Sequence, residues 1–495
     1  MSLLAIDIGS SACKAVAFAL DGTSLAQHSC SYAPELPQPS FAELNPEAFW
    51  EAVRTCCRTV ASRSREPVRA LCLSSHGETF IPVDDRGRPL MNAILNQDTR
   101  ATGESAWCEE IIGRKRLFQI TGLCTHPMFP LPKILWLRKH RPEIFAATRS
   151  FVSLIGYLLS KMGLAPWVDF SLASRYLAFD VRGRGWSEEI LQAVGLDRAR
   201  LPLPAAPGTI VGELPPTAAA GLGLAPGIAV VMGGHDQPCS ALGSGVIETG
   251  RVAHSIGTYE CLVAASDAPS LSDVALSAAL NSYCHVVPDK YVTLAYFPSG
   301  IMVQWFHRLL HPEGSADPDV EAGHYAFLEA QAPAGPTGLT VTPHLIGTCN
   351  PDFNPRARSL IAGLQPGSSR AHIHKGILEG LACELALLTN VLAQAVGDFR
   401  DLYVTGGGVR SPLGLKLRAA LTGCRLHVMQ QQQAVCLGTA ILAGVAIGEY
   451  AHVQQAIEAV VRESDVITPD ESLAERYAGQ RTRYQQLRSL AATLD

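Results

Sequence analysis

The chain has 495 residues, of which 47% are hydrophobic, and its formal net charge of −5 is spread without long charged runs. This length suggests two to four domains, and the composition is ample for sizeable hydrophobic cores. The lack of a basic patch argues against a nucleic acid or an anionic membrane as partner, and the N-terminus shows no signal-peptide pattern, so we expect a soluble cytoplasmic enzyme.

The first half of the chain predicts a strand–loop–strand start, followed by alternating helices and strands. A short loop at 9–11 joins the first two predicted strands, an Asp-Gly hairpin turn at 21–22 follows the second, and Asn45 with Pro46 marks the start of the first helix. The predicted strands are 2–8, 13–19, 68–74, 80–83 and 228–232. The predicted helices are 46–60, 101–120 and 131–161. The segment 201–227, rich in Pro, Gly and Ala, is predicted to be a surface connection.

The second half begins near Arg251 and repeats the start of the first, because a strand at 252–256 runs into a small-residue loop. The further predicted elements are a helix at 371–395, a strand at 401–405, a helix after Ser411-Pro412 and a final helix at 433–445. This alternation of strands and helices predicts the α/β class. The repeated start predicts two related domains, 1–248 and 249–495, with the ligand in the cleft between them.

Cysteine and histidine patterns exclude several kinds of metal or redox site. The fourteen cysteines form no C-x-x-C pair, and the fifteen histidines include no H-E-x-x-H motif. The cysteines are therefore expected to be reduced, mostly buried small hydrophobes. We also expect no metal held by protein side chains alone.

Three small-residue loops, each following an apolar strand, are the candidate phosphate sites. They are Gly9-Ser10-Ser11, Gly257-Thr258 and Gly406-Gly407-Gly408. Backbone N–H groups and hydroxyls in such loops suit anionic oxygens, although any one of them alone is more typical of a plain turn. No Gly-Lys pair occurs, which excludes a Walker A loop, and the match to a dinucleotide-binding glycine motif is weak.

Two aspartates, Asp7 and Asp236, are candidate functional carboxylates, because one lies inside an apolar strand and the other directly after an apolar run. Asp7 is inside an apolar strand, where a carboxylate is costly unless it is paired or close to a cation, and this favours Mg²⁺ bound through waters. Asp236 follows an apolar run and precedes a small-residue helix. By itself this position favours a helix N-cap, but it also suits the base that phosphoryl transfer to an alcohol requires.

Asp7 and the loop at Gly9 (the first loop) are followed by the loops at Gly257 (the second) and Gly406 (the third). This order resembles that of the phosphate-1, phosphate-2 and adenosine loops of the actin-like ATPase superfamily. Within it the chain resembles the FGGY carbohydrate kinases, which include glycerol, xylulose, ribulose and gluconate kinases. Residues 128–140 fit the first signature of that family at every defined position, and 359–379 fit the second except for Gly376, where Ala or Ser is usual. The resemblance spans roughly residues 3 to 450.

The resemblance implies an RNase-H-like fold in both domains, with ATP and Mg²⁺ in the cleft and domain closure on the sugar. It implies that Asp236 is the general base, with Gln237 beside it as an acceptor contact, and it agrees with Asp7 as the magnesium anchor. The nucleotide-binding residues expected from it are Gly9, Ser10, Ser11, Lys14, Gly257, Thr258, Gly300, Gln304, Gly406, Gly407 and Ser411. A homodimer is a further expectation from the family.

The acceptor loop has features of two branches of the family. His76-Gly77 is similar to xylulose kinases, whereas Glu78-Thr79 is similar to glycerol kinases. The segment 93–100 resembles a xylulose kinase stretch in which Asn96 replaces a Trp. The substrate-binding residues expected from these comparisons are His76, Gly77, Glu78, Asn96, Asp98, Arg100 and Gln237. A structural role for His76 stays open.

A pentulose, D-xylulose in particular, is the first expectation for the acceptor, because Gly77 cannot supply the arginine that a glycerol site uses. Another ketose or polyol, such as ribulose, erythritol or glycerol, stays open. The chain departs from many relatives at Lys416, Ala420 and Gln433, where Gln, Asp and Glu are common, and we expect these positions to affect adenine contacts. The rival hypotheses are a non-catalytic sugar or nucleotide sensor and a heat-shock-type ATPase.

Overall fold

The computed structural model describes residues 1–311 and 318–493. The strands of the first half are β1 (Ser2–Ile8), β2 (Ala12–Ala19), β3 (Ser24–Ser31), β4 (Glu43–Leu44), β5 (Val68–Ser75), β6 (Phe80–Val83), β7 (Ala93–Ile94), β8 (Ser150–Ser153), β9 (Val168–Asp169), β10 (Phe179–Asp180), β11 (Gly185–Trp186), β12 (Pro204–Ala205), β13 (Ile210–Glu213) and β14 (Ala229–His235). Its helices are α1 (Pro46–Arg63), α2 (Thr102–Ile112), α3 (Arg114–Thr121), α4 (Pro130–His140), α5 (Pro142–Ala147), α6 (Leu154–Lys161), α7 (Phe170–Ser174), α8 (Glu188–Val194), α9 (Pro216–Leu222) and α10 (Asp236–Gly243).

The second half has its own set of elements. Its strands are β15 (Arg251–Ile256), β16 (Tyr259–Ser266), β17 (Asn281–Cys284), β18 (Tyr291–Pro298), β19 (Thr340–Val341), β20 (Ile361–Ala362), β21 (Asp401–Thr405), β22 (Arg425–Met429) and β23 (Glu463–Ile467). Its helices are α11 (Asp273–Ser277), α12 (Gly300–Leu310), α13 (Pro318–Ala330), α14 (Arg370–Val396), α15 (Pro412–Thr422), α16 (Ala434–Ala446), α17 (Val453–Val460), α18 (Glu471–Arg476) and α19 (Ala478–Ala491).

Each half is built on a sheet with the same central strand order. The first sheet runs β13-β14-β5-β1-β2-β3, and the second runs β17-β18-β16-β15-β21-β22-β23. In both, the first strand pairs antiparallel with the second and parallel with the fourth, which gives the order 3-2-1-4-5 over the five central strands. The apolar residues of β1 are buried on both faces, as expected for a central strand between layers of helices. The predicted pair of RNase-H-like domains is confirmed.

Several predicted boundaries differ from the structure. The helix predicted over 101–120 is two helices, because Gly113 takes a φ of 92° between α2 and α3. The helix predicted over 131–161 was wrong in its middle: α4 ends before Pro142, and β8 then pairs antiparallel with β6. The connection predicted over 201–227 contains the short elements β12, β13 and α9.

A helix from the C-terminal part of the chain packs on the first sheet. The helix α16 contacts β1, β5 and β14, and it crosses α10. At that crossing a Cβ at Gly438 would lie only 1.9 Å from the carbonyl oxygen of Cys239, so the two helices meet backbone to backbone. The predicted boundary at 248–249 falls between α10 and β15 and stays a prediction, because the chain returns to the first sheet after it.

The long helix α14 is the hydrophobic centre of the second half. It is the one helix of the described ranges that is long and apolar enough to cross a membrane by length and composition. However, 78% of its most apolar stretch is buried inside the protein, beneath residues such as Leu402 and Leu426 of the second sheet. Its hydrophobicity is therefore accounted for by core packing.

Candidate active site

The carboxyl ends of three adjacent parallel strands bring the acceptor-side residues together. Asp7 on β1 is in register with Ser74 on β5, and Ser74 is in register with Gly234 on β14. Ligands of open α/β sheets bind at such an edge. The strand order therefore places Asp7, the loop that follows Ser75 and the start of α10 at one edge, although these segments are far apart in the sequence.

Asp236 is the first residue of α10, with His235 at the N-cap position, and no side chain caps this helix. The Asp236 side chain is 21% exposed, and its Oδ1 lies 3.1 Å from Nε2 of His235 without forming a hydrogen bond to any described residue. Burial and the charges of Asp7 and Glu78 raise the pKa of Asp236 well above its usual range. A carboxylate of raised basicity with an unpaired oxygen is suited to accept a proton.

Asp7 lies between a cation and a hydroxyl. Ser74 donates a hydrogen bond from Oγ to Oδ1 of Asp7 at 3.3 Å, and Lys14 is its cross-strand neighbour. Burial raises the pKa of Asp7 to about 6, against the lowering effects of Lys14 and Ser74. Lys14 itself donates to Oε1 of Gln433 at 2.6 Å. A buried carboxylate without a direct ion pair, next to a phosphate-type loop, fits the preference of Mg²⁺ for carboxylate and water oxygens.

A buried ion pair occupies the acceptor loop. Glu78 adopts a φ of 62°, and its Oε1 accepts a hydrogen bond from Nε of Arg175 at 2.5 Å. Burial alone would raise the pKa of Glu78, but the charges of Arg175 and His235 outweigh burial and lower it. Nη1 of Arg175 is buried and has no hydrogen-bond partner among the described residues. This pair therefore leaves one strong donor unsatisfied next to the cluster around Asp236.

The aromatic side chains around Arg175 come from both halves of the molecule. Its guanidinium carbon lies 5.2 Å from the ring centre of Phe129 and 4.6 Å from that of Tyr283. The hydroxyl of Tyr283, on β17, lies 2.9 Å from Nδ1 of His235. A cavity of about 500 Å³ lies between the halves, and Phe129 and His126 line it together with Tyr296 of the second half. The acceptor cluster is therefore enclosed from both sides of the cleft.

His76 and Gly77 are held tightly by the protein. Nδ1 of His76 lies 3.1 Å from the carbonyl oxygen of Ile8, and its Nε2 lies 2.8 Å from Oγ1 of Thr79. Burial lowers the pKa of His76. A Cβ at Gly77 would lie 3.0 Å from Cγ of Arg175, so the loop fits against that side chain only without one. Both ring nitrogens of His76 thus have partners within the protein, and these contacts agree with the structural alternative for this residue.

The remaining residues expected at the acceptor form a separate buried cluster. Asp98 is fully buried and accepts hydrogen bonds from the backbone of Ala42 and from the guanidinium of Arg100. Arg100 also packs its guanidinium over the ring of Phe41 at 3.7 Å. Oδ1 of Asn96 accepts from the backbone N–H of Gln97. The structure therefore places Asp98 and Arg100 in an ion pair next to Phe41 and Ala42, while Gln237 stands next to Asp236 and is half-buried.

The second and third loops meet at the same edge of the second sheet. Ser255 and Thr405 are in register on the parallel strands β15 and β21. A Cβ at Gly300 would lie 2.4 Å from the carbonyl oxygen of Gly257, so the start of α12 is in direct contact with the second loop. Gly406 has a φ of 94° and donates its N–H to Oε1 of Gln432 at 2.9 Å. Glycine is required at these positions by close approach and by a positive φ.

A cavity of about 370 Å³ joins these loops. The predicted nucleotide residues in its wall are Gly257, Thr258, Gly300, Gln304, Gly407 and Ser411. Ser411 caps α15 and donates from Oγ to Oε1 of Glu329, which also lines the cavity. Ser10 and Ser11 are in the first loop, and Lys14 follows it on β2, in the other half of the molecule. The concave space with loops on its rim is suited to a ligand with several anionic oxygens.

Residues 2–243 match the FGGY family of carbohydrate kinases, N-terminal domain, and residues 252–447 match the C-terminal domain of the same family. The chain belongs to the FGGY family of carbohydrate kinases. The chain is 25% identical to the xylulose kinase of Bacillus subtilis (strain 168) over 479 residues, covering 96% of this chain and 94% of that protein. It is 27% identical to the gluconokinase of the same strain over 455 residues, covering 90% of this chain and 88% of that protein.

A solved structure supports the fold of this FGGY kinase. The ligand-bound xylulose kinase from Lactobacillus acidophilus superposes with a TM-score of 0.90 at 21% identity, covering 99% of this chain and 98% of that chain. The predicted family, the two-domain α/β fold and the class of phosphotransferase acting on a carbohydrate are thus confirmed. At this level of identity the relatives do not single out one sugar.

Two of the three departures from the FGGY pattern lie away from the nucleotide cavity. Lys416 is exposed on α15. Ala420 is buried in a cluster with Leu421, Tyr477 and Tyr484, where it packs against the C-terminal helix α19. Gln433, in contrast, accepts a hydrogen bond from Lys14, which lies on β2 directly after the first loop. The expected effect on nucleotide binding is therefore best supported at Gln433.

Sequence reasoning missed several residues of the site. Arg175 and Tyr283 stand in segments that carry no recognised motif, and a charged residue at 175 within an apolar stretch was the only signal available. Lys133 lies within residues 128–140, which fit the family signature, but the signature alone predicts no role for it. Its fully buried Nζ donates to the carbonyl oxygens of Glu78 and Leu95 at 3.0 and 2.6 Å, and burial lowers its pKa to about 7. Lys133 thus ties together the two loops that were expected to bind the acceptor.

Proposed function

We propose that this FGGY kinase transfers a phosphoryl group from ATP to a hydroxyl of a pentulose, with D-xylulose as the first candidate. The observation that carries the proposal is Asp236, a partly exposed carboxylate of raised pKa with an unpaired oxygen. It lies at the same sheet edge as Asp7 and the first loop. The xylulose kinases among the relatives support the choice of acceptor.

Asp236 acts as the general base. Phosphoryl transfer requires little covalent chemistry from the protein, so positioning and one proton acceptor suffice. The raised pKa of Asp236 makes its carboxylate a stronger base than an exposed Asp, while the N-terminus of α10 keeps the ionised form accessible. The proton of the acceptor hydroxyl passes to the Asp236 carboxylate as the hydroxyl oxygen bonds to the γ-phosphorus of ATP, the bond from that phosphorus to the bridging oxygen breaks, and ADP leaves.

The three loops bind and align the phosphates of ATP. Gly257 and Thr258 of the second loop and Gly407 and Gly408 of the third line the nucleotide cavity, and Lys14, on β2 directly after the first loop, supplies a positive charge. Asp7 would hold Mg²⁺, which neutralises charge on the β- and γ-phosphates when it is bound. Closure of the two halves excludes water and so suppresses hydrolysis of ATP.

A sugar acid is the second candidate acceptor. The specific observation is the buried Nη1 of Arg175, which has no hydrogen-bond partner among the described residues. Arg binds carboxylates more strongly than it binds neutral hydroxyls. The 27% identity to a gluconokinase points in the same direction. In the first candidate, the same Nη1 donates to a ketose oxygen.

A panel of acceptors tests the proposal. ADP release is measured with D-xylulose, D-ribulose, L-ribulose, glycerol, erythritol and D-gluconate at saturating ATP and Mg²⁺. The proposal predicts the highest kcat/KM with D-xylulose. A preference for gluconate selects the second candidate, and measurable ATP binding with no stimulation by any acceptor contradicts the kinase assignment in favour of a sensor.

A further inference from the structure

A cluster of three histidines lies beside the nucleotide cavity and takes no part in the proposed reaction. His307 and His311 are one turn apart at the end of α12, and His324 lies on α13. Their candidate ligand nitrogens all lie within 4.8 Å of one another. His307 is buried, whereas His311 and His324 are half-buried, so the cluster is open to solvent on one side.

One pair of these nitrogens has the spacing of ligands on one metal ion. Nε2 of His307 and Nδ1 of His324 share a hydrogen bond at 3.2 Å, which a metal ion would replace. Two imidazole nitrogens on a tetrahedral Zn²⁺, each at about 2.0–2.1 Å, stand about 3.3 Å apart. The rings of His311 and His324 are stacked at 3.9 Å, so a rotation of the half-buried His311 ring is the main adjustment needed.

The donor set selects the class of metal. Three imidazoles, with no carboxylate in the cluster among the residues that the structure describes, suit Zn²⁺, Ni²⁺, Cu²⁺ or Co²⁺, whereas Mg²⁺ and Ca²⁺ prefer oxygen ligands. Such a site is chemically distinct from the one expected at Asp7. Three protein ligands also leave a fourth position open for water.

The cluster joins two helices that form walls of the nucleotide cavity. On α12, Gln304 lies one turn before His307 and lines the cavity. On α13, Tyr325 follows His324 directly and also lines the cavity, and its ring centre lies 4.8 Å from that of His307. A metal bound to all three histidines would therefore fix the spacing of α12 and α13 at the rim of the cavity.

We propose that His307, His311 and His324 form a binding site for a transition-metal ion of the Zn²⁺ class that clamps α12 to α13. The clamp prearranges the side chains of Gln304 and Tyr325, so that ATP orders less of the protein when it binds. Metal and nucleotide then strengthen each other's binding by the same factor. This coupling rests on the proposed use of ATP, whereas metal binding itself does not.

The first test measures metal binding directly. The full-length protein is freed of metal with a chelator and titrated with Zn²⁺ against a chromophoric competitor, and with Co²⁺, whose visible spectrum reports tetrahedral nitrogen ligands. We expect one Zn²⁺ per chain with micromolar or tighter affinity, undisturbed by millimolar Mg²⁺. Failure to bind Zn²⁺, or displacement of Zn²⁺ by Mg²⁺, would overturn the proposal.

Single substitutions show whether the cluster is the site. His311→Ala and His324→Asn should each weaken Zn²⁺ binding by at least about 100-fold, the upper end of what loss of an outer-shell partner costs. His28→Ala, on β3 in the other half, is the matched control and should bind as the unmodified protein does. Circular dichroism and metal-free ATP binding confirm that the variants are folded. Unchanged Zn²⁺ affinity in both variants would overturn the assignment.

The coupling is tested by measuring ATP affinity with and without Zn²⁺. We expect Zn²⁺ to tighten ATP binding severalfold in the unmodified protein and to have no effect in His311→Ala. Zn²⁺ binding that leaves ATP affinity unchanged would overturn the clamp while leaving the metal site in place. If the protein bound Zn²⁺ but no ATP, the proposed function would fail and the metal site would stand.

Discussion

Each half of this FGGY kinase contains a buried Arg–Glu pair, and these two pairs, Arg175–Glu78 and Arg418–Glu260, differ in how completely their hydrogen bonds are made. On the nucleotide side, Glu260 accepts hydrogen bonds from Arg418 and from Oγ of Ser299, and its Oε2 lies 2.9 Å from Nε2 of His254. On the acceptor side, Arg175 meets Glu78 through Nε alone, with Nη1 left unpaired. We interpret a buried pair whose hydrogen-bonding groups all have partners as structural, and a buried pair with an unpaired donor as available to bind a ligand.

The charge balance of the two regions differs in the same way. Arg418 and its neighbours lower the pKa of Glu260 to about 2, despite complete burial. On the acceptor side the negative charges converge instead, and Asp7 and Asp236 both have raised pKa values. Raised pKa values gather at the acceptor-side edge, which is the pattern expected of a site that handles a proton.

The largest expected effect on stability is at the nucleotide-side pair. Glu260→Gln leaves Arg418 as an uncompensated buried charge and should lower the free energy of unfolding by about 3–5 kcal/mol. Urea denaturation measures this loss. Glu248→Gln, which breaks an exposed pair with Arg251, is the matched control and should change stability by less than about 1 kcal/mol. Equal losses in the two variants would remove the structural role given to Glu260.

Replacing the acceptor-side arginine should affect catalysis in addition to stability, because Arg175→Met also leaves Glu78 without its ion-pair partner. Arg175→Met removes the free donor, and kcat/KM for the acceptor should fall about 10- to 100-fold, the value of one charged hydrogen bond of about 1.5–3 kcal/mol. KM for ATP should not change. Arg184→Met, which removes an exposed pair with Asp289, serves as the control. A large loss of stability with unchanged acceptor kinetics would make the two Arg–Glu pairs alike.

A pH effect of intermediate size is expected at His126, which lines the cavity of about 500 Å³ between the halves. Burial lowers the pKa of His126 to about 4, while the unfolded chain takes up this proton near pH 6.5. The unfolded state therefore binds more protons between these values, so stability is complete above pH 6.5 and falls as the pH drops. At pH 5 the neutral His126 of the native protein lowers the free energy of unfolding by up to about 2 kcal/mol relative to its value above pH 6.5.

His126→Gln should remove this part of the acid sensitivity. Urea denaturation of both proteins at pH 7.5 and at pH 5.0 measures the difference, with His28→Gln as the control. Identical losses of stability on acidification, with and without His126, would contradict a neutral His126 in the native protein.

The smallest expected effect is at Gln433, which joins the two halves through Lys14. Gln433→Glu would bind the Lys14 ammonium more strongly and draw it from the phosphates, so KM for ATP should rise about two- to fivefold, as for an ion pair of modest strength. Acceptor KM should stay constant. An unchanged KM for ATP would show that Lys14 does not contribute to nucleotide binding.

The sequence was sufficient for features that depend on strand ends. The loops at Gly9, Gly257 and Gly406, with Asp7 and Asp236, could be placed because parallel strands deliver their carboxyl ends to one edge. The helix predicted over 131–161 from local sequence propensity was wrong in its middle, because Pro142 and the pairing of β8 with β6 interrupt it.

Contacts between distant segments could not be predicted from local pattern. Arg175 lies 97 residues from Glu78, its ion-pair partner. Asp98 and Arg100, which were expected to bind the acceptor, form an ion pair with each other, and their role at the acceptor stays a prediction. The histidine cluster shows the same limit, because the third ligand, His324, comes from another helix than His307 and His311. Such partners are selected by tertiary packing, which leaves no periodic signal in the sequence.

The central claim is that the Asp236 carboxylate takes the proton of the acceptor hydroxyl, and single-turnover phosphoryl transfer in Asp236→Asn tests it most directly. Asn keeps the size and polarity of the side chain but cannot accept the proton. The account predicts that the rate of transfer falls about 10²- to 10⁴-fold, the usual contribution of a general base, while binding of ATP and of D-xylulose is retained. Transfer at nearly the unmodified rate in Asp236→Asn would contradict it.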